Sequence, residues 1–390
     1  MLLMNMARQR PWYDSYASLR KDVDLLRDRF RDRCEQLHQP PGLILHAFSR
    51  EIIARAVHES NWQEGIDVDR GRTKELANIV FEDFEHLNDP QLDFARVLNH
   101  HKKQVIALRR KRVPKNELAA YNLSAAHHAL WWIAAELIDR ESAALAVALT
   151  KVETEVRASI PASAKAAIQR GLESIREISE DTKPPLAPFA GNPTRGHVFK
   201  KYLDCDFESL LHPFRVSHLH FLHRILFMGI LPARTGGEFR SKSVHVSNPE
   251  VFFPPPQAVP AMMTEFCRDF PRIGREGWDY IMMAARCSFR FVRIHPYTDG
   301  NGRVSRLIMN LLLLSHYPPV YLKADKKGRH RYSQALRRAD QGNLEPLASL
   351  IALSLKEIYS KIISALERTP KRPIDPDKPI VPARLPAKQP

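Results

Sequence analysis

The apolar residues of this chain recur every three or four positions, which is the spacing of one face of an α-helix. The pattern is clear in residues 15–37, 43–60, 278–294, 303–315 and 347–366. A helix that is apolar on one face buries that face against other elements, here other helices. The sequence therefore predicts an all-α fold whose core is a helical bundle.

One segment, residues 235–253, departs from the helical pattern. It reads TGGEFRSKSVHVSNPEVFF, with two glycines near its start and apolar residues alternating at Val244 and Val246. Three prolines follow it directly. Alternation next to a glycine pair is typical of a β-hairpin, so we expect one small hairpin on an otherwise helical protein.

The composition fits a folded protein of a reducing compartment. Hydrophobic residues make up 44% of the 390 residues and charged residues 26%, which excludes wholesale disorder. The four cysteines form no CxxC pair, which argues against a disulfide framework and a cysteine zinc site. Residues 1–14 lack the apolar run of a signal peptide, and no stretch reaches about 18 uninterrupted apolar residues. We expect a cytoplasmic protein without a membrane span.

Changes in composition divide the chain into four parts. The sequence Pro40-Pro41-Gly42 interrupts the N-terminal helices, and residues 179–196 are rich in proline and glycine. From residue 369 onward a proline falls at about every third position, which is typical of polyproline II. We assign N-terminal helices, a helical insertion with a linker, the main domain and a disordered tail to residues 1–70, 71–189, 190–368 and 369–390.

The net charge of +15 favours partners that carry phosphates. Basic residues concentrate in residues 102–115 and 323–338. Either run could bind nucleic acid, but neither zinc-ligand spacing nor a helix-turn-helix pattern accompanies them, and a basic run is usually a solvated face. A nucleic-acid-associated regulator without enzymatic activity stays open as an alternative.

The most informative segment is the loop HPYTDGNGRVSR, residues 295–306, between two apolar helices. Its glycines let backbone N–H groups approach a ligand, and a helix start favours anions because its first N–H groups are free. Arg303 and Arg306 share one helix face and could bind two phosphates. Asp299 is a carboxylate of the kind that holds Mg²⁺ beside phosphates, and His295 suits a general base.

This loop resembles the signature of the Fic (Fido) family, H-P-F-x-D/E-G-N-G-R-x-x-R, with Tyr297 in place of the usual phenylalanine. Members of that family have a helical fold with a hairpin flap and usually transfer AMP from ATP to a Ser, Thr or Tyr hydroxyl of a protein. The resemblance therefore implies a Mg²⁺-dependent protein adenylyltransferase that uses ATP and modifies a target protein or itself. It says nothing about the oligomeric state.

The resemblance also implies a role for each residue of the motif. His295 would take the proton of the acceptor hydroxyl, and Asp299 would bind the Mg²⁺ that bridges the α- and β-phosphates. Arg303 would bind the β-phosphate and Arg306 the γ-phosphate. The backbone N–H groups of Gly300, Asn301 and Gly302, with the Asn301 side chain, would form the anion hole. Val304 and Ser305 are further nucleotide-binding positions.

Two further segments resemble elements of the family. Residues 237–256 are similar to the flap, which aligns the target segment by strand addition. Tyr332 and Asp340 lie where relatives contact the nucleoside, although a tyrosine on a helix face is more often a core residue than a ligand. The flap positions that the resemblance adds to the binding site are Val244, His245, Val246 and Ser247.

The segment SNWQEG, residues 60–65, fits the inhibitory pattern S/T-x-x-x-E-G/N of many family members. In that pattern Glu64 pairs with Arg306 and denies it to the γ-phosphate, Ser60 lies one turn earlier on the same face, and Gly65 ends the helix. The alternative is a solvated helix end. Some relatives use this glutamate to remove AMP from targets, so the reverse reaction and the transfer of another nucleotide-derived group also stay open.

Overall fold

The structure is a computed structural model. It describes residues 15–37, 39, 41–85, 94–130, 133, 214–231, 236–244, 251–275, 279–314 and 316–368. The described residues form α-helices joined by short turns, with one 3₁₀ turn at Pro256–Ala258 and no strand. In chain order the helices are α1 (Tyr16–Gln36), α2 (Pro41–Gln63), α3 (Arg70–Glu85), α4 (Phe94–Arg110), α5 (115–130), α6 (Val216–Phe227), α7 (Val259–Arg275), α8 (Tyr280–Ile294), α9 (Asn301–Leu313), α10 (Lys326–Asp340) and α11 (Glu345–Glu367).

Local sequence signals place several helix ends. The side chains of Ser15, Asp279 and Asp325 each accept a hydrogen bond from a backbone N–H three residues later and so cap α1, α8 and α10. At the other end of α2, Gly65 takes a positive φ of 75°, and the N–H of Ile66 donates to the Asn61 carbonyl at 2.9 Å. This glycine-dependent cap fixes the direction in which the chain leaves α2.

The helices share one hydrophobic core. Helices α8 and α9 pack against each other, α11 packs along α1, and the described C-terminal end of α2 reaches α9. Helix α9 is buried along most of its length because it lies between its neighbours. Truncating a buried leucine there to alanine would cost about 2–5 kcal/mol. The core thus fixes the loop between α8 and α9, which carries the motif.

The N-terminal helix α1 is attached to the rest of the bundle by polar contacts. The Tyr16 hydroxyl lies 2.6 and 2.7 Å from the two carboxylate oxygens of Asp279, the residue that caps α8. Lys356 of α11 donates to Asp22 at 2.6 Å. Helix α1 therefore joins the core of the main domain. Helix α5 joins it as well, since the Asn122 side chain donates to the carbonyl of Leu226 in α6 at 3.2 Å.

The all-α prediction is confirmed for the described residues. The centre of the expected hairpin, residues 245–250, lies outside them, and residues 236–244 and 251–255 on either side form no strand. The proline-rich tail after residue 369 and the segment 179–196 also lie outside them. Within the described ranges, every helix is too short or too polar to cross a bilayer.

Candidate active site

Helix α8 ends in a tight reversal that carries the chain into α9. His295 caps α8 and has a left-handed backbone, φ 51° and ψ 58°, which is uncommon for a residue other than glycine. Gly300 also has a positive φ, 79°, and precedes α9, whose first N–H groups have no partner within the helix. The reversal brings an imidazole and a helix N-terminus into the same loop.

The side chain of Asn301 closes this loop. Its Oδ1 accepts from the N–H of Tyr297 at 2.9 Å, and its Nδ2 donates to the carbonyl of Tyr297 at 2.7 Å. Both residues are buried. The side-chain amide therefore holds the loop itself together, and what Asn301 offers to an anion is its backbone N–H.

The ring of His295 has a defined tautomer. Its Nδ1 lies 3.2 Å from the Val292 carbonyl, which can only accept, so Nδ1 carries the hydrogen and Nε2 is the basic nitrogen. The ring of Phe253 packs against it at 4.1 Å between centroids. Burial lowers the pKa of His295 and the charge of Arg240 lowers it further, although the Val292 carbonyl opposes both. The ring is therefore neutral at pH 7 and can accept a proton.

Arg303 is a buried cation with an incomplete set of partners. Its guanidinium lies over the ring of Phe227 at 4.7 Å, and its Nη2 is 3.5 Å from the Asp299 carboxylate. Its buried Nε has no hydrogen-bond partner in the described part of the chain. Burial lowers its pKa, although Asp299 opposes that shift. Such a group gains stability when an anion approaches it.

Asp299 lies at the exposed side of the loop. Its side chain is 60% exposed, and its Oδ1 accepts from the N–H of Gly300 at 2.5 Å. Among the described residues, no three His, Cys, Asp or Glu side chains group together in a way that could hold a metal ion. Mg²⁺ bound together with phosphates needs only one or two protein carboxylates, and an exposed carboxylate beside an anion site meets that requirement.

The C-terminal end of α2 binds Arg306. Its Nε donates to Ser60 Oγ at 2.8 Å, one Nη to the Ser60 carbonyl at 3.0 Å, and the other Nη to Gln63 Oε1 at 3.0 Å. The fourth contact is an ion pair with Glu64 at 2.6 Å. Four of the five N–H donors of a buried guanidinium are thus occupied.

Glu64 itself reaches into the motif loop. Burial raises the pKa of its carboxyl, but the ion pair with Arg306 and the charge of Arg303 outweigh burial, so the pKa is lowered and the carboxylate is ionised. A side chain on Gly302 would collide with this carboxylate. The negative charge therefore lies against the first turn of α9, where the helix favours an anion.

Two of the predicted loop positions turn inward. The side chain of Val304 is fully buried in the core, and the hydroxyl of Ser305 donates to the Gly302 carbonyl at 3.0 Å. Both side chains are therefore enclosed by the protein.

The predicted nucleoside and flap positions are spread around the loop. Burial raises the pKa of Tyr332, and the nearby charge of Arg306 opposes that shift. Asp340 forms an ion pair with Arg293 at 2.9 Å. Val244 is the last described residue of its segment, and the other flap positions, His245, Val246 and Ser247, lie outside the described residues.

Comparison with known proteins shows which family the loop and the helices around it match. The sequence profile of the Fic/DOC family matches residues 213–313, which span α6 to α9 and contain the whole motif. The chain carries a Fic domain. A crystal structure of a Fic-domain-containing signalling protein from Bacteroides thetaiotaomicron covers 89% of this chain with a TM-score of 0.51 at 16% identity, which shows the shared fold.

Two curated relatives of the Fic domain are named protein adenylyltransferase Fic. The one from Culex quinquefasciatus is 36% identical over 142 residues, and the one from Aedes aegypti is 34% identical over 142 residues. Each match covers 34% of this chain. The chain spans about a quarter of the length of these relatives, 25% and 26%.

The structure adds polar residues of the Fic domain that the sequence analysis did not select. Buried Arg240 donates from its N–H to the Pro296 carbonyl at 2.9 Å, from its Nε to the His295 carbonyl at 2.7 Å, and to the Pro254 carbonyl at 2.5 Å. These bonds attach the segments on both sides of residues 245–250 to the motif. A lone arginine before an alternating stretch gives no sequence signal of such a role.

The contacts of three aromatic residues of α6, His220, His223 and Phe227, were likewise not apparent from the sequence. The hydroxyl of Tyr297, which stands where the motif usually has phenylalanine, lies 3.2 Å from Nδ1 of His220 and so has a hydrogen-bond partner. His223 contacts Asp299 and Gly237, and Phe227 lies under Gly300. The spacing of three and four residues along α6 was a signal for a shared face, but not for what that face contacts.

Proposed function

We propose that this chain is a protein adenylyltransferase that transfers AMP from ATP to a Ser, Thr or Tyr hydroxyl of a protein, and that Glu64 keeps its activity low. The observation that carries the proposal is the pair of buried arginines, Arg303 and Arg306, on the first turns of α9 beside the neutral ring of His295. Buried cations next to free helix N–H groups suit a polyphosphate. The names of the curated relatives support the same reaction.

In this reaction Nε2 of His295 takes the proton of the acceptor hydroxyl while its oxygen attacks the α-phosphorus of ATP. The bond between that phosphorus and its bridging oxygen breaks, and pyrophosphate leaves with the bonding electrons. The target keeps AMP as an ester, and the proton on His295 passes to water. The hydrogen bond from Nδ1 to the Val292 carbonyl keeps Nε2 as the free base.

The loop would stabilise the charge that develops on the α-phosphate. Backbone N–H groups of Gly300, Asn301 and Gly302 would be the donors, because they lie at the start of α9, whose first N–H groups have no partner within the helix. Arg303 would bind the β-phosphate through its unpaired Nε and its other donors. Arg306 would bind the γ-phosphate once it is released from α2.

Asp299 would hold Mg²⁺ through its exposed carboxylate, with phosphate oxygens and water as the other ligands. When bound, the ion offsets phosphate charge and makes pyrophosphate a better leaving group. The protein contributes the Asp299 carboxylate, the Arg303 beside it and the N–H of Gly300. This N–H donates to Oδ1 of Asp299 in the structure, and it would be free for a phosphate when the ion binds that oxygen.

Inhibition would follow from competition for one guanidinium. Arg306 cannot offer its donors to a γ-phosphate while Ser60, Gln63 and Glu64 occupy four of them. The Glu64 carboxylate also adds a negative charge beside Gly302, which repels the triphosphate. Removal of this carboxylate should therefore raise the rate of transfer.

The test is transfer of label from α-labelled ATP, with Mg²⁺, to proteins of a lysate and to the chain itself. Glu64→Gly should raise labelling above wild type, and Glu64→Gly combined with His295→Ala should abolish it. Glu51→Gln is the control. It removes the charge of a carboxylate on α2, but that carboxylate pairs with Lys74 and not with the motif. Labelling that persists without His295 would remove it as the general base.

The removal of AMP from a modified protein is a second candidate. Its support is the position of Glu64, whose carboxylate lies against Gly302 in the same loop that carries His295. An AMP-modified protein incubated with the enzyme distinguishes the two directions: Glu64→Gln should slow removal while it speeds transfer. The mass of the adduct formed with ATP would identify any other transferred group.

A further inference from the structure

His223, on α6, is buried and contacts two separate backbone segments. Its Nδ1 accepts from the N–H of Gly237 at 2.8 Å, and its Nε2 lies 3.0 Å from the Asp299 carbonyl. The ring stacks on Tyr297, with centroids 3.8 Å apart and planes at 19°. It therefore has a fixed position between the segment that leads into residues 238–244 and the motif loop.

The two hydrogen bonds fix the tautomer of His223. A backbone N–H can only donate, so Nδ1 must be the acceptor and carries no hydrogen. A backbone carbonyl can only accept, so Nε2 must carry the hydrogen and donate it to Asp299. A neutral ring of one tautomer satisfies both groups.

The carbonyl that His223 binds belongs to the peptide between Asp299 and Gly300. In a trans peptide the C=O and the N–H lie in one plane and point to opposite sides. When Nε2 of His223 holds the carbonyl on the side of α6, the N–H of Gly300 must point away from α6. In the structure it does so and donates to the Asp299 carboxylate at 2.5 Å.

A rotation of this peptide would turn the carbonyl of Asp299 toward the side where the N–H now points. A carbonyl oxygen there would repel an anion that the N–H would have bound. Gly300 leaves such a rotation sterically open, because glycine populates a wide range of φ and ψ. The packing of Phe227 against Gly300 restrains its position, but the hydrogen bond of His223 is the contact that sets the direction of the peptide.

We infer that His223 is a positioning residue, which orients the Asp299–Gly300 peptide so that the Gly300 N–H is presented to the α-phosphate. This inference rests on the proposed function and adds to it a residue outside the motif. We expect His223 to stabilise the transition state, in which charge develops on the phosphate, more than it stabilises bound ATP.

Two amide variants separate the two hydrogen bonds. In His223→Gln the amide nitrogen can take the place of Nε2 and keep the bond to Asp299, whereas in His223→Asn the shorter amide can keep only the bond to Gly237. Both are made in the Glu64→Gly background, and turnover, the Kd for MgATP and thermal unfolding are measured for each. We expect His223→Asn to lose about 10- to 100-fold in turnover with less than about a 3-fold change in Kd, and His223→Gln to stay within about 5-fold of its parent.

Equal losses of turnover in the Asn and Gln variants, or losses that only follow the loss of thermal stability, would overturn the inference. If His223→Asn does not fold, His223→Phe replaces it, because its ring can still stack on Tyr297 without a donor for Asp299. If neither folds, a loss of more than about 10-fold in His223→Gln overturns the inference, and retention supports it. An inactive Glu64→Gly parent would instead refute the proposed function, and the inference with it.

Discussion

Arg306 shows how one residue can be both a ligand-binding group and a point of control. Its guanidinium is buried, and its donors are taken by the hydroxyl and carbonyl of Ser60, the amide of Gln63 and the carboxylate of Glu64. Hydrogen bonds to a charged group contribute about 1.5–3 kcal/mol each. Their sum explains why an arginine without a bound phosphate can stay inside the protein.

Gln63 should therefore be part of the inhibition. Besides Arg306 it binds the Leu322 carbonyl at 3.1 Å, so it joins the end of α2 to the segment before α10. We expect Gln63→Ala to raise AMP transfer above wild type but less than Glu64→Gly does, because the ion pair remains. The rate of labelling measures the effect. Gln36→Ala is the control, since Gln36 accepts from Arg33 in the same way far from the motif, and an equal rise there would contradict the role of Gln63.

The residue scale also shows the limits of sequence reasoning. The motif predicts His295, Asp299 and the arginines, because their chemistry depends on residue type and spacing. It does not predict that Asn301 binds the loop with its side chain, since an amide can donate and accept in any direction. The motif also does not predict the roles of His223 and Arg240, because these residues bind backbone groups that are distant in sequence.

At the scale of elements, the ends of helices place the groups that interact. The sequence predicts α1, α2, α8, α9 and α11 to within a few residues, because their apolar periodicity is strong. The hairpin is expected from the glycine pair and the alternation that follows it. Its centre, residues 245–250, lies outside the described residues, so the hairpin stays a prediction.

Gly65 tests whether the end of α2 must be held in place for inhibition. Its φ of 75° is costly for alanine, by about 1–2 kcal/mol, and nothing lies within 4 Å of an added Cβ. Gly65→Ala should lower thermal stability and raise AMP transfer, because the residues that bind Arg306 directly precede the altered turn. Gly342→Ala carries the same strain at φ 85° in equally open space. It should lower stability and leave transfer unchanged, and a rise in both variants would mean that any destabilisation activates the protein.

At the scale of the whole molecule, the helices that precede the Fic domain belong to its core. The sequence suggested that residues 71–189 are an insertion apart from the main domain, a division that stays a prediction for the parts that are not described. For α4 and α5 the structure shows contact with α6, because apolar residues on these helices face it. Sequence alone could not predict this packing, since periodicity identifies an apolar face but not its partner.

Buried neutral histidines should make the whole molecule sensitive to acid. Burial is the first cause that lowers the pKa of His101, His127 and His223 to about 4. Since the unfolded chain binds protons near pH 6.5, the stability that these residues provide is complete above that pH and is lost as the pH falls toward 4. We expect the free energy of unfolding to fall by roughly 1 kcal/mol per pH unit for each histidine below pH 6.5.

Denaturant titrations at pH 7.5, 6 and 5 measure this dependence. His127→Gln should flatten the slope, because one of the three protons is no longer taken up on unfolding. His330→Gln, at an exposed position of α10, is the control and should leave the slope unchanged. A free energy of unfolding that does not change between pH 7.5 and 5 would contradict the account.

The most direct test of the central claim is calorimetry with MgATP. The claim is that the loop between α8 and α9 binds the triphosphate and that the end of α2 withholds Arg306 from it. Folded Glu64→Gly protein should bind one equivalent of MgATP at least about 10-fold more tightly than wild type, with Glu51→Gln like wild type, because Arg306 gains a charge-assisted bond to the γ-phosphate. No binding of MgATP by folded Glu64→Gly protein, at concentrations up to about 1 mM, would contradict the claim.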